Sequence, residues 1–279
     1  LDGGPTDNNA TLFAQGYMGF AQPHFDDGSW NLVARQAVPD WDNVQAQTIA
    51  EQILTAAGND VDAAIVANDG MAGGVIAAFE AVLKGDVNNA YALVRPPGHH
   101  ALAHEGCGFC LFGNAVIAIK HAMAVHHVER VVTIDWDVHH GNGTESAFYD
   151  NPNVLTFSIH QDDNFPPGMG KMHQSGEGSG KGYNVNIPLP PGSGRGAYMA
   201  IMERVITPAV KAFKPNLIVI PCGFDANAYD PLGRMMLSSK AYREMTRTVM
   251  NLAGEICGGR LVMCHEGGYS SAYVPFCGQ

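Results

Sequence analysis

Cysteine, positive charge and long hydrophobic runs are all scarce in this chain of 279 residues. Six cysteines are too few for a disulfide-stapled framework. Four of them, Cys110, Cys222, Cys257 and Cys264, lie in or beside apolar segments and read as small core residues. A reducing, cytoplasmic setting is the default expectation. Lys and Arg number 16 against 27 Asp and Glu, for a formal charge of −11. That balance excludes a general nucleic-acid binder, which would carry basic patches. It speaks first to solubility and leans weakly toward cationic partners. The apolar runs are strand-sized, so no membrane span is expected. Leu1-Asp2-Gly3-Gly4 lacks the basic and apolar regions of a signal peptide. No Met stands at position 1, which is compatible with an internal stretch of a longer polypeptide.

The apolar content of 46% supports a sizeable core. No linker, repeat or low-complexity block divides the chain, so one domain over 1–279 is expected, with residues 1–40 irregular. Helices are expected over 41–57, 71–83, 112–127, 144–149, 197–213 and 239–256, with Pro208 kinking or breaking the fifth. A short buried strand or turn is expected at 63–66. Strands are expected at 90–94, 131–134, 154–159, 183–189, 217–220 and 261–264. They alternate with helices and most read as continuous apolar runs. Both features imply a parallel sheet covered on two faces, in a three-layer α/β/α fold.

Five of those strands run directly into polar residues able to bind metal or move protons. They lead to Arg95-Pro96-Pro97-Gly98-His99-His100, to Asp135-Trp136-Asp137-Val138-His139-His140, to His160, to Cys222-Gly223-Phe224-Asp225 and to His265-Glu266-Gly267-Gly268-Tyr269. Parallel α/β sheets bind ligands outside the carboxyl ends of their strands. One site built from five loops is therefore expected. Asp137 and His139, two residues apart on extended backbone, point the same way and can share a cation. Asp225 can supply a third ligand. Three protein ligands leave a position open for water, the catalytic zinc pattern, with iron(II) and manganese also suited to the donor set. Adjacent imidazoles His99 and His100 can act as a general base and its electrostatic partner. Asp135 and Asn142 can each hold one ring, and the ring held by Asp should be the more basic. Tyr269, after the flexible Gly267-Gly268, can donate to an oxyanion.

Other motifs carry less. Gly176-Glu177-Gly178-Ser179-Gly180-Lys181-Gly182 is not a P-loop, because no Ser or Thr follows the Lys and no strand precedes it. Cys107-x-x-Cys110 has no second cysteine pair at zinc spacing. His121, His126 and His127 read as surface helix positions, and Trp30 and Trp41 as packing residues.

Residues 95–100, 106–110, 135–143, 223–225, 230–233 and 266–270 together resemble zinc-dependent histone deacetylases. Asn142 and Trp136 resemble the class II branch and its bacterial deacetylase-like amidohydrolases. The resemblance covers about residues 65–279. It implies zinc at Asp137, His139 and Asp225. It makes His100 the general base and acid, with His99 and Asp135 as its electrostatic support and Asn142 facing His100. Tyr269 would polarise the carbonyl. Phe109 and Phe165 would wall an acyl-lysine tunnel beside Gly108, Gly267 and Gly268, and Leu232 would stand at its rim. Structural potassium is implied at Asp135, Asp137, His139, Ser158 and Ile159, and at Phe148, Asn151, Val154 and Tyr183. The implied substrate is an acylated lysine or a similar acylated amine, with no nucleic acid or membrane engaged directly and a homo-oligomer compatible. Alternatives are an acetylpolyamine amidohydrolase, which would want an acidic rim, a two-manganese ureohydrolase, which would want more carboxylates, and an inactive acyl-lysine binding module. Residues 1–40 lack the family's opening strand and rim loop, and relatives continue past Gln279 into another helix.

Overall fold

Strands buried on both faces must alternate their side chains between two cores. In β5 (Leu217–Cys222), Leu217 and Val219 join one apolar cluster while Ile218 and Ile220 join another. In β6 (Leu261–His265), Val262 and Cys264 go one way, Leu261 and Met263 the other. This is the period-two pleat with apolar residues on both sides, as a sandwiched parallel sheet demands.

A computed structural model of the protein describes residues 2, 4, 6, 8–39, 43–57 and 72–279. Trp41 and residues 63–66 lie outside them. The other strands are β1 (Asn89–Ala92), β2 (Val131–Asp135), β3 (Val154–Gln161) and β4 (Asn184–Leu189). All pair in parallel, in the order β1-β6-β5-β2-β3-β4. The chain winds outward from β2 through β3 to β4, then returns to β5 on the other flank of β2. The strand order thus reverses between β2 and β5, and the crevice beyond their carboxyl ends is where such folds place ligands.

Helices cover both faces. α3 (Ala72–Lys84), α4 (Asn114–Val125) and α5 (Asn142–Phe148) lie on one side, around Phe79, Val82, Ile119 and Phe148. On the other lie α6 (Arg195–Ile201), α7 (Thr207–Phe213) and α8 (Ser239–Ile256), around Tyr198, Val210, Tyr242 and Met245. α8 buries Ala241, Tyr242, Met245, Val249, Leu252 and Ala253, a stripe at helical spacing. The expected break near Pro208 is present: a π-turn at Met202–Ile206 joins α6 to α7. A wider turn there accommodates a proline that cannot donate to the preceding turn.

The expectation that residues 1–40 are irregular is corrected. α1 (Asn8–Asp26) is a 19-residue helix, and it runs through Pro23. Ala10, Ala14, Met18 and Ala21 turn inward while Thr11, Gln15, Gly19 and Gln22 are exposed. That periodicity overrides the helix-weakening glycines. α2 (Asn43–Ala56) follows, and a short α9 (Val274–Cys277) ends the element order. Among the described residues no helix is long and apolar enough to cross a membrane.

Candidate functional site

Because every strand is parallel, all five polar exits lie at one end of the sheet. The β2 exit supplies Asp135, Asp137 and His139, and the β5 exit supplies Asp225. His139 Nδ1 lies 3.0 Å from Asp137 Oδ1 and 3.1 Å from Asp225 Oδ2. Backbone donors fix the two carboxylates. Val138 N–H donates to Asp225 Oδ1 at 2.8 Å, His139 N–H to Asp137 Oδ1 at 2.8 Å, and Gly267 N–H to Asp137 Oδ2 at 2.8 Å. Asp225 Oδ2 is buried and accepts no aligned hydrogen bond.

This donor set fits a divalent metal. The orphaned Asp225 Oδ2 needs a positive partner. The three ligand atoms lie within 4.8 Å of one another, and the two His139 separations approach the roughly 3.4 Å between ligands around a tetrahedral ion with bonds near 2.1 Å. One nitrogen and two carboxylates suit zinc and its neighbours. The pocket also attracts positive charge by itself. Burial would lower the basicity of His139, but Asp137 and Asp225 outweigh it and raise its pKa to about 10. Burial, with repulsion from Asp137, pushes Asp225 up to about 7. Burial opposes ionisation of Asp137 too, yet His99 and His139 hold it below the usual carboxylate range.

The β1 exit brings the paired imidazoles over these ligands. The rings of His99 and His100 stand 4.0 Å apart, and His100 is 6.0 Å from His139. His99 Nδ1 pairs with Asp135 Oδ2 at 2.9 Å, and His100 Nδ1 with Asn142 Oδ1 at 2.7 Å. The two rings diverge in basicity. Burial disfavours the charged form of His99, but Asp137, Asp135 and Glu266 overcome it and raise its pKa well above the ordinary value. His100 has no such carboxylate partner. Burial and then the charge on His99 depress it to about 2. One ring holds a proton while its neighbour is free to accept one.

The β6 exit carries Tyr269. Its ring lies 6.4 Å from that of His139 and 6.0 Å from that of Phe109, and its N–H donates to Asp230 Oδ2 at 2.7 Å. Phe165 packs edge-on against His100 at 5.0 Å. Gly108, at φ +53°, fits between His100 and Phe165, where a Cβ would collide with both rings. Phe109 also adopts a positive φ, 67°, which is costly for an aromatic residue and holds its ring out at 70% exposure. Leu232 is exposed, and its carbonyl accepts from Asn164 Nδ2 at 3.2 Å.

Some residues sit differently from the sequence reading. Four exits reach the centre, not five. His160, from β3, engages Ser158 Oγ and the Gly170 carbonyl, each at 2.9 Å, and its ring packs tilted against His140 at 4.8 Å. It braces the 161–182 loop instead. Gly267 faces inward: its N–H serves Asp137 and its carbonyl accepts Phe224 N–H at 2.7 Å. Gly268, at φ +147°, makes the turn into Tyr269. Trp30 is exposed and stacks on His24. Asp135 and Ser158 are register partners across β2 and β3, with Ile159 next along. Phe148, Asn151 and Val154 gather where α5 meets the start of β3, linked by Asn151 N–H to the Phe148 carbonyl and Val154 N–H to the Asn151 carbonyl, while the Tyr183 carbonyl accepts the N–H of Thr156 in β3 at 2.9 Å.

Sequence reasoning left out Glu266 and the role of Cys110. Glu266 Oε2 accepts the N–H of Gly98 at 2.7 Å and of His99 at 3.0 Å, so it holds the paired-histidine loop from below. Burial raises its pKa to about 7. Cys110 Sγ accepts His100 N–H at 3.4 Å. Glu266 was visible within its motif, but nothing in the sequence indicates that its partners are backbone groups.

The model of the "Histone deacetylase domain" family matches residues 36–277. Over 207 residues the chain is 55% identical to a histone deacetylase-like amidohydrolase of Pseudomonas aeruginosa, covering 74% of this chain and 54% of that protein. It is 44% identical over 199 residues to a probable deacetylase of Archaeoglobus fulgidus, covering 71% and 55%. The crystal structure of the HDA15 HD domain superposes with a TM-score of 0.70 at 38% identity, covering 74% of this chain and 60% of that one. The chain spans about half the length of the two curated relatives named here.

Proposed function

The chain belongs to the histone deacetylase family, and from that premise we propose that it is a zinc-dependent amidohydrolase removing acetyl or other acyl groups from lysine side chains or similar amines. The observation that carries the reading is one cluster: His139 Nδ1 stands 3.0 and 3.1 Å from the carboxylates of Asp137 and Asp225, beneath two imidazoles of opposite basicity.

A divalent ion held by Asp137, His139 and Asp225 would supply Lewis acidity toward the amide carbonyl and lower the pKa of a bound water. His100, kept neutral by burial and by His99, accepts the water's proton during attack. The same ring then returns that proton to the leaving amine. His99, cationic through Asp135, offsets negative charge developing nearby. Tyr269 donates its hydroxyl to the oxyanion; its phenol remains protonated because burial raises its pKa. Phe109 and Phe165 flank the aliphatic stem of the substrate, and Gly108 lets them close around it. The apolar, exposed Leu232 at the rim favours acyl-lysine over a polyamine, whose second amine would want a carboxylate there.

Potassium is part of the same proposal. Asp135, Asp137, His139, Ser158 and Ile159 would hold one ion, chiefly through backbone carbonyls. Phe148, Asn151, Val154 and Tyr183 would hold another. The register pairing of Asp135 with Ser158 supports the first.

The test is turnover of an acetyl-lysine peptide by the full chain. Activity should vanish on chelation and return with zinc. Persistent turnover in stripped protein would refute the assignment, and binding of the peptide without turnover would favour an inactive acyl-lysine module.

A further inference from the structure

Far from that crevice, α3 and α4 bring three other potential ligands together. Glu80 projects from α3, His121 from α4, and His126 is the residue that ends α4. The start of α4 lies at the catalytic end, where Asn114 Nδ2 donates to the Pro96 carbonyl at 3.1 Å. A helix of this length carries its far end about 18 Å away at 1.5 Å per residue. His126 therefore sits toward the amino ends of the strands.

We propose that Glu80, His121 and His126 form a second divalent-metal site, suited to zinc or an ion of similar preference. Their ligand atoms all lie within 4.8 Å of one another. Glu80 Oε1 is 3.2 Å from His121 Nε2 and 3.5 Å from His126 Nε2. Those separations bracket the roughly 3.4 Å edge of a tetrahedral site with bonds near 2.1 Å. Two imidazoles and one carboxylate are a borderline N/O donor set that zinc accepts readily.

Hydrogen bonding by itself leaves this cluster incomplete. His121 pairs with Glu80 Oε1, but His126 Nε2 is buried and finds no aligned partner. Its 3.5 Å approach to the same oxygen is an ion-pair distance without hydrogen-bond geometry. An ion between the three groups gives that nitrogen its missing partner. Lys84 holds the other carboxylate oxygen, Oε2, at 3.1 Å and so leaves Oε1 facing the rings. The hydrogen bond from Lys84 also lowers the Glu80 pKa, which keeps the ligand ionised. All three side chains are half-buried, open enough to load an ion from solution. Bound there, the ion would clamp α3 to the end of α4 within one helical layer.

The experiment counts zinc. The full chain is stripped with chelator, re-equilibrated with zinc, freed of excess and analysed for zinc per chain. His121→Ala/His126→Ala should hold one zinc fewer than the parent. That difference is read whether or not the catalytic centre loads, so it fails independently of the proposed deacetylase reading. Glu80→Gln keeps both rings and should weaken binding at this site at least about tenfold. Combining each change with Asp225→Asn isolates the second site, where added zinc should raise the thermal midpoint of Asp225→Asn alone and leave that of the triple variant unmoved. Equal zinc counts in the parent and in variants with native circular dichroism would overturn the proposal, leaving a hydrogen-bonded helix clamp. Should the double variant not fold, equal zinc affinity in the parent and Glu80→Gln overturns it as well.

Discussion

The two ends of the sheet are built from opposite materials. At the amino ends, Val131, Val154, Leu217 and Leu261 are buried and apolar, and their contribution is packing. At the carboxyl ends Asp135, Asp137, Asp225, Glu266, His99 and His139 are almost as deeply buried, and all six are ionisable. Burying a Leu side chain stabilises by about 1.5–3 kcal/mol. Burying a carboxylate costs free energy unless a partner offsets it. One end is therefore organised to hold the fold, and the other to hold charge in place. If that division is right, changes at one end should move stability and changes at the other should move chemistry.

The largest effect should come from Asp225→Asn. It removes a proposed metal ligand and should cut acetyl-lysine peptide turnover by at least about 10³-fold, the scale lost when transition-state charge goes unsupported. The same change deletes a carboxylate that burial and Asp137 have pushed up to about 7. Chelated protein should then be no less stable to urea than the chelated parent. A large loss of stability would break the division between the two ends.

Tyr269→Phe comes next. Losing the proposed oxyanion donor should reduce kcat by about 10²–10³-fold with little change in KM. The backbone anchor of Tyr269 on Asp230 survives the substitution, so the fold should be unaffected. Unchanged turnover would remove Tyr269 from the chemistry.

Leu217→Ala tests the opposite end. Leu217 is 0% exposed at the start of β5, and truncation should cost about 2–5 kcal/mol in urea unfolding. Turnover per folded molecule should stay near the parent value. A matching loss of kcat would mean that packing at the amino end sets the site geometry.

The same contrast explains what could be read from the sequence. Strands sandwiched between two helical layers show continuous apolar runs, and the abrupt switch to Asp or His at their exits marks the sheet's carboxyl end. α8 matched its expected span because its stripe is regular and Gly258-Gly259 stops it. α1 escaped because Gly16, Gly19 and Pro23 suggest a loop, while its inward stripe is mostly alanine and weakly apolar. His160 looked like a fifth contributor, since a strand exit does not reveal which way a ring turns. Glu266 was legible as a motif residue only, because its partners are backbone N–H groups 167 and 168 positions away.

Glu266→Gln should give the smallest effect and the sharpest test of charge at the carboxyl end. Burial raises the folded-state pKa of Glu266 from 4.5 to about 7. Between those values the folded protein keeps a proton that the unfolded chain has released. Its contribution to stability therefore falls as pH rises from about 4.5 to about 7, then levels off. The full linkage is at most about 3 kcal/mol. Gln cannot ionise and so lacks this slope, while its carbonyl can still accept from Gly98 and His99. Its amide would occupy the position of Oε1, which has no partner, and that offsets about 1–2 kcal/mol of the gain. The variant should be less stable than the parent at pH 5 and more stable by about 1 kcal/mol at pH 8, in paired urea titrations of chelated protein. A parent-minus-variant difference that stays flat across that range would mean Glu266 is ionised throughout. The carboxyl end would then hold one more buried negative charge beneath His99, and the proton on that ring would be fixed more firmly still.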